Sequence, residues 1–286
     1  MGKLLRKFAV PSIISMLVMS LYNIVDQIFI GQCVGELGNA ATNVAFPFTT
    51  LCIATALAFG IGGASGFNLN LGAGEKEKAP YFIGVSASMM FIIGVVLSVV
   101  GLTALKPLLL FFGSTDTVLP YAMEYTKYLA LGFPFAIISS GGSHLVRADG
   151  SPKFSMACNL VGAIVNVILD YLFVMVFNWK MAGAAIATVI GQILASIMVI
   201  WYLIHFKTIK LHGKHFVPQL KIVGRTVHLG MAQCLNQLAI MFVQVVMNKS
   251  LTYYGALSPY GADIPLACTG TVSYTHLRAH ETLANL

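Results

Sequence analysis

Seven stretches of this chain, near 8–31, 44–68, 80–105, 121–144, 154–177, 182–205 and 228–251, stay apolar for about the 20 or more residues that carry a helix across a lipid bilayer. Lipid offers the backbone no hydrogen-bond partners, so each such run must satisfy its own N–H and C=O groups as a helix. A soluble fold is excluded. Of the 286 residues, 57% are hydrophobic and 9% charged, against roughly 25% charged in soluble domains. The fold class is all-α: a polytopic membrane protein.

Lys3, Arg6 and Lys7 before the first run give it the look of a secretory signal. The run is too long, lacks a small-residue cleavage site and is followed by further spans, so it reads as a retained first helix. The five cysteines (Cys33, Cys52, Cys158, Cys234, Cys268) are an odd number without CxxC spacing and read as apolar packing residues, with neither a disulfide framework nor a metal site. No metal is expected, unless the ion taken up at the site described below is sodium and not a proton.

The net charge of +7 is placed by topology. Lys3, Arg6, Lys7, Lys76, Lys78, Arg147, Lys153, Lys207, Lys210, Lys214, Lys221 and Arg225 fall on the N-terminal segment or on alternate loops, while the opposite loops hold mainly Lys106 and Lys180. The positive-inside rule then puts the N-terminus in the cytoplasm. The basic excess suits contact with anionic lipid and is no nucleic-acid footprint. The loop Gly72-Ala-Gly-Glu-Lys-Glu-Lys-Ala lacks the GxxxxGK[ST] spacing of a phosphate-binding loop, so no nucleotide is expected.

Polar residues inside the spans carry the functional signal. In the fifth run, Asn159, Asn166 and Asp170 fall on one helical stripe at about 100° per residue. An ionisable group inside a span costs on the order of 3 kcal/mol by insertion scales and marks a functional site. The first run is interrupted by Pro11; its Ser15, Tyr22 and Asp26 share a stripe, with Ser12 and Asn23 at the edges. The second carries Gly60, Gly62, Gly63 and Gly66, which suit close helix packing. The fourth has Gly132-Phe-Pro134, a kink, and the small polar end Ser139-Ser-Gly-Gly-Ser-His144, whose histidine reads as interfacial. Ser151 is placed to cap the fifth span, with Pro152 at its first position. The sixth has the stripe Thr188, Gln192 and Ser196.

Asp26 lies 19 residues past Lys7, and Asp170 lies 17 past Lys153. At 1.5 Å per residue both carboxylates sit roughly 25 to 29 Å from the basic surface, in the outer half of the bilayer, and Thr188 agrees in depth. Two carboxylates in one low-dielectric pocket cannot both be ionised cheaply. Such a pocket either takes up a proton or holds a cation such as sodium, with Asn166 and Thr188 as neutral oxygen ligands. The bland alternative is two aspartates in separate hydrogen-bond networks.

The organisation reads as a six-helix transmembrane lobe over 1–205, a cytoplasmic linker over 206–226, and the start of a second lobe over 227–270. Leu229-Gly-Met-Ala-Gln matches Phe8-Ala-Val-Pro-Ser in position, a faint parallel repeat in which Met247 stands opposite Asp26. Residues 271–286 turn abruptly polar. That tail reads as non-native adaptor read-through, and its His276 and His280 are set aside as ligands.

Phe8-Ala-Val-Pro-Ser, Tyr22-Asn-Ile-Val-Asp26-Gln-Ile-Phe-Ile-Gly31, Arg147-Ala-Asp-Gly-Ser-Pro-Lys153, Asn166-Val-Ile-Leu-Asp170 and Gly183-Ala-Ala-Ile-Ala-Thr188 resemble, in that order, the multidrug and toxic compound extrusion family, closest to its bacterial branches. The resemblance runs to about Gly270. It implies twelve helices in two lobes, of which this chain carries the first lobe and the first helix of the second, leaving the C-terminal lobe as its missing partner. It implies a secondary antiporter of the bacterial inner membrane, monomeric when full length, that exports drugs or toxic amphipathic compounds on an inward proton or sodium gradient. Asp26, Asn166, Asp170 and Thr188 match the family's ion-coupling positions, with Tyr22, Asn23, Asn159 and Gln192 as supporting polar positions. No catalytic residue and no cofactor beyond the coupling ion is implied.

Three other readings are weighed. A lipid-linked oligosaccharide flippase of the same superfamily would want a cavity rich in Arg and Lys, and no span here has a central Arg. A membrane-embedded enzyme would want HExxH, GxGD or a Ser-His pair at interface depth, and the sequence has none. A passive channel would want a repeated pore-lining motif.

Overall fold

The computed structural model describes residues 2–259 and 261–269, with side chains from Ala9 onward. Its helices are α1 (Gly2–Cys33), α2 (Glu36–Gly72), α3 (Ala79–Thr103), α4 (Leu105–Phe111), α5 (Leu119–Leu131), α6 (Phe133–Ala148), α7 (Pro152–Asp170), α8 (Lys180–Ile204) and α9 (Leu220–Ala256), and the described residues contain no strand. Among the described residues six single helices are long and apolar enough to cross a membrane, and α5 and α6, bent by 59°, make a seventh when taken as one broken span. The bend falls at Gly132-Phe-Pro134, where proline withholds the N–H that would continue the ladder. Short connections make successive spans antiparallel. Lys76, Lys78, Arg147, Lys153, Lys207 and Lys210 therefore collect at one end of the bundle, called here the basic end.

Helices extend past the apolar runs where their polar ends still pack. The second span starts at Glu36 because Gly38, Ala40 and Ala41 are buried, and the seventh starts at Leu220, so Lys221 and Arg225 are helical. Pro11 does not interrupt α1, which runs unbroken through it; a proline removes one N–H from the ladder, and 32 residues of helix carry that loss. The fifth span is not a uniform α-helix either. Directly after Asp170 the chain takes a π-helical turn over Tyr171–Val176. It then reverses through Asn178 (φ 54) and Lys180 (φ 49) with Trp179 stacked on Phe173 at 4.9 Å. Ser151 does not cap α7 through its side chain. Its hydroxyl instead pairs with the Tyr202 hydroxyl at 2.6 Å and accepts from the Lys207 ammonium at 2.9 Å.

Helix α2 is the centre of the bundle, packed against α3, α5, α6 and α9. Its four glycines explain how: a Cβ at Gly60 would strike the Gly141 backbone of α6, at Gly62 the Thr226 carbonyl of α9, at Gly63 Ser86 and at Gly66 Phe82 of α3. The α9 side of the Gly62 contact is itself a glycine, Gly230, seated on the Ala58 backbone. Toward the opposite end the same two helices are joined by amides. The Gln244 Nε2 donates to Asn43 Oδ1 at 2.7 Å and to Asn248 Oδ1 at 3.1 Å, and Asn43 Nδ2 donates to the Leu266 carbonyl at 2.8 Å.

The α8–α9 connection is held on both sides. The Asp149 carboxylate, in the α6–α7 turn, accepts from the Tyr202 hydroxyl, the Lys207 and Thr208 backbone N–H groups and the Thr208 hydroxyl. A 3-10 turn at Gly213–Phe216 rests on α3.

Candidate functional site

Helices α7 and α8 cross where two glycines meet. A Cβ at Gly191 would lie 2.7 Å from the Gly162 carbonyl, and one at Gly162 would lie 3.1 Å from the Gly191 carbonyl, so the backbones touch. One turn further along each helix this proximity brings Asn166 and Thr188 together, with Asn166 Nδ2 donating to Thr188 Oγ1 at 3.3 Å.

Helix α1 packs against α7. It brings Asp26, 7% exposed, to Asp170, which is fully buried, close enough for the charge of one to act on the other. Neither forms an ion pair; among the described residues the ion pair is Lys78 with Glu75. Asp26 Oδ1, both oxygens of Asp170, Asn166 Oδ1 and Gln192 Oε1 are buried without a hydrogen-bond partner among the described residues. A buried oxygen left unpaired costs about 1–3 kcal/mol, and more if charged. A concentration of unpartnered oxygen acceptors is what a proton or a hard cation satisfies, since such cations take oxygen ligands.

A cleft of about 80 Å³ leads to this group. Tyr22, Asn159, Asn166, Thr188 and Gln192 line it, together with Ser139 and Ser140 of α6 and the crossing glycines. At roughly 10–15 Å³ per water it has room for several waters, and it falls short of the 300–1,000 Å³ typical of drug-sized sites. Asp26 and Asp170 do not line it. They lie one turn beyond Tyr22 on α1 and Asn166 on α7, farther from the basic end.

Asn23 stands apart from the other named residues. Its Nδ2 donates to the Met19 carbonyl at 2.6 Å on its own helix, in keeping with a place at the edge of the stripe. The described cysteines are all free, and no group of three His, Cys, Asp or Glu that could hold a metal occurs among the described residues. The tail, with His276 and His280, lies outside the described residues. Sequence reading passed over three features: the α6 wall at Ser139 and Ser140, read only as a small polar end; the Gly162–Gly191 crossing; and the π-helical turn after Asp170.

A family model described as MatE matches residues 11–172. The multidrug export protein MepA of Staphylococcus saprophyticus is 26% identical over 262 residues, covering 91% of this chain and 58% of that protein. The MepA of Staphylococcus aureus strain MRSA252 is 24% identical over 267 residues, covering 92% and 59%. Among solved structures, the MATE multidrug transporter DinF-BH in complex with R6G superposes with a TM-score of 0.89 at 30% identity, covering 97% of this chain and 61% of that one. The chain thus spans about three-fifths of the length of the relatives it matches.

Proposed function

The chain belongs to the multidrug and toxic compound extrusion (MATE) family, and on that premise we propose that it carries the ion-coupling site of a secondary antiporter exporting drugs or toxic amphipathic, often cationic, compounds. The observation that carries this reading is the set of buried, unpartnered oxygens on Asp26, Asn166, Asp170 and Gln192, joined to a polar cleft. An inward proton or sodium ion would bind there, each carboxylate supplying charge and Asn166, Thr188 and Gln192 supplying neutral oxygens. The Asp26 and Asp170 charges repel when both are ionised, so one bound cation draws α1 and α7 together. A drug that binds the two packings unequally is then coupled to the ion, and by linkage each changes the affinity of the other by the same factor.

The protein acts as a multi-pass transporter of the bacterial inner membrane with the basic end in the cytoplasm, a reading supported by the gathering of Lys and Arg on alternate connections. It is not an enzyme. It needs no cofactor beyond the coupling ion, and its partner is a small-molecule substrate.

The test uses everted vesicles from cells expressing the complete gene, loaded with a fluorescent lipophilic cation while pH and sodium gradients are imposed separately. Transport should follow one of the two gradients. Equal flux with both gradients collapsed overturns the antiport reading.

A further inference from the structure

The α8–α9 connection carries a second chemistry, distinct from the ion site. The Asp149 carboxylate fixes its start by accepting from the backbone N–H of Lys207 at 2.8 Å and of Thr208 at 3.0 Å. Farther along, the His215 ring packs edge-on against Tyr81 of α3 at 4.7 Å, and Ser88 Oγ donates to the Phe216 carbonyl at 2.7 Å. Gly84 makes the approach feasible, because a Cβ there would strike the His215 carbonyl.

These contacts set a depth. Gly84 and Ser88 are five and nine residues into α3, which begins at Ala79 at the basic end. At 1.5 Å per residue, His215 and Phe216 lie about 8 to 14 Å along the span, so the connection is tucked beside a membrane helix at the level where headgroups give way to acyl chains.

The side chains it presents suit that place. Between Asp170 and Asp263 the sequence has no acidic residue. Lys210, Lys214, Lys221 and Arg225 are exposed, and none of them forms an ion pair among the described residues. Lys207 is already engaged by Ser151 at 2.9 Å, and the Arg225 guanidinium lies 6.0 Å over the Phe82 ring. Set among these cations are two apolar side chains with nothing to cover them, Val217 at 58% exposure and Leu220 at 90%. Unpaired cations beside exposed aliphatic groups, held at interface depth, match an anionic lipid surface: headgroup phosphates neutralise the lysines while acyl chains cover Leu220. A soluble polyanion would meet only the first need.

We propose that residues 205–225 form a binding surface for anionic phospholipids of the leaflet at the basic end, with Lys210, Lys214, Lys221 and Arg225 on the headgroups and Val217 and Leu220 among the acyl chains. Near an anionic surface each basic side chain favours the docked arrangement by a factor of about five, so three lysines together contribute on the order of 100-fold.

The test compares hydrogen exchange of 205–225 in nanodiscs of phosphatidylcholine alone with nanodiscs that also contain phosphatidylglycerol. Exchange should slow with phosphatidylglycerol. The triple variant Lys210→Gln, Lys214→Gln, Lys221→Gln should lose that difference, and Leu220→Ser should weaken protection in both lipids. These side chains are exposed, so the fold should survive, and unchanged exchange in α2 checks that it does. Equal protection in the two lipids, an anionic-lipid effect that persists in the triple variant, or equal protection by inorganic phosphate added to phosphatidylcholine nanodiscs would each overturn the proposal.

Discussion

Asn166 and Thr188 meet at 3.3 Å because, one turn away on each helix, Gly162 and Gly191 let α7 and α8 touch backbone to backbone. The crossing sets the geometry of the proposed ion site, although neither glycine carries a functional group.

Gly191→Ala is expected to push α8 off α7, since the new Cβ would sit 2.7 Å from the Gly162 carbonyl and 3.3 Å from the Asn166 Cβ. Overpacking of this kind costs about 1–3 kcal/mol. The melting temperature in detergent should fall, and gradient-driven efflux should fall further than the loss of folded protein accounts for, because Asn166 and Thr188 are separated. Normal efflux in a folded Gly191→Ala protein would show that the crossing does not set the site.

The amide network between α2 and α9 should behave as a unit. Asn43→Leu takes away the acceptor of the buried Gln244 amide and the donor to the Leu266 carbonyl, at about 1–3 kcal/mol per unpaired group. The triple replacement of Asn43, Gln244 and Asn248 by leucine removes the stranded Gln244 amide, leaving the Leu266 carbonyl unpaired, and should recover part of the loss. Thermal stability of the single and triple variants checks this.

Asp149 holds the α8–α9 connection through charge-assisted hydrogen bonds. Each such bond contributes about 1.5–3 kcal/mol. Asp149→Ala should therefore release the segment, and trypsin should cut after Lys207 and Lys210 many times faster than in the parent protein, with the helices left intact.

His215 gives a pH dependence at the same place. Its Nδ1 accepts from the His212 N–H at 3.0 Å, which requires an unprotonated nitrogen. Burial, with the nearby charges of Lys214 and His212, holds its proton affinity below the usual histidine range. The folded form then binds a proton less readily than the unfolded one, so this contribution is complete above the unfolded pKa of about 6.5 and is lost as pH falls below it. Amide protection at 212–216, measured relative to the intrinsic exchange rate at each pH, should fall on acidification through that range, and His215→Gln should flatten the profile.

Much of this arrangement was legible in the chain. Apolar run length located the spans, and the stripes Asn159–Asn166–Asp170 and Thr188–Gln192 identified the two helix faces that meet at the cleft, because a 3.6-residue period and a polar group in lipid are both local signals. The Gly162–Gly191 crossing was not legible, since which glycines meet depends on the pairing of helices distant in sequence. The π-helical turn after Asp170 was hidden because Tyr171–Val176 is as apolar as any α-helical segment. Pro11 misled in the other direction: a proline reads as a break, yet α1 continues through it. The depth of the α8–α9 connection depends on Gly84 and Ser88, which carry no such signal on α3.

Asp26 and Asp170 are proposed to work as one ion-binding unit. The most direct measurement is gradient-driven drug efflux in everted vesicles carrying the complete gene with Asp26→Asn, Asp170→Asn or both, alongside drug-induced release of protons or sodium from the purified protein. Each single substitution should abolish coupled efflux and ion release while the protein remains folded in the membrane, and the double should be little worse than either, as expected of coupled residues. Near-normal coupled efflux in either single variant, or drug-induced ion release from the double variant, would contradict it.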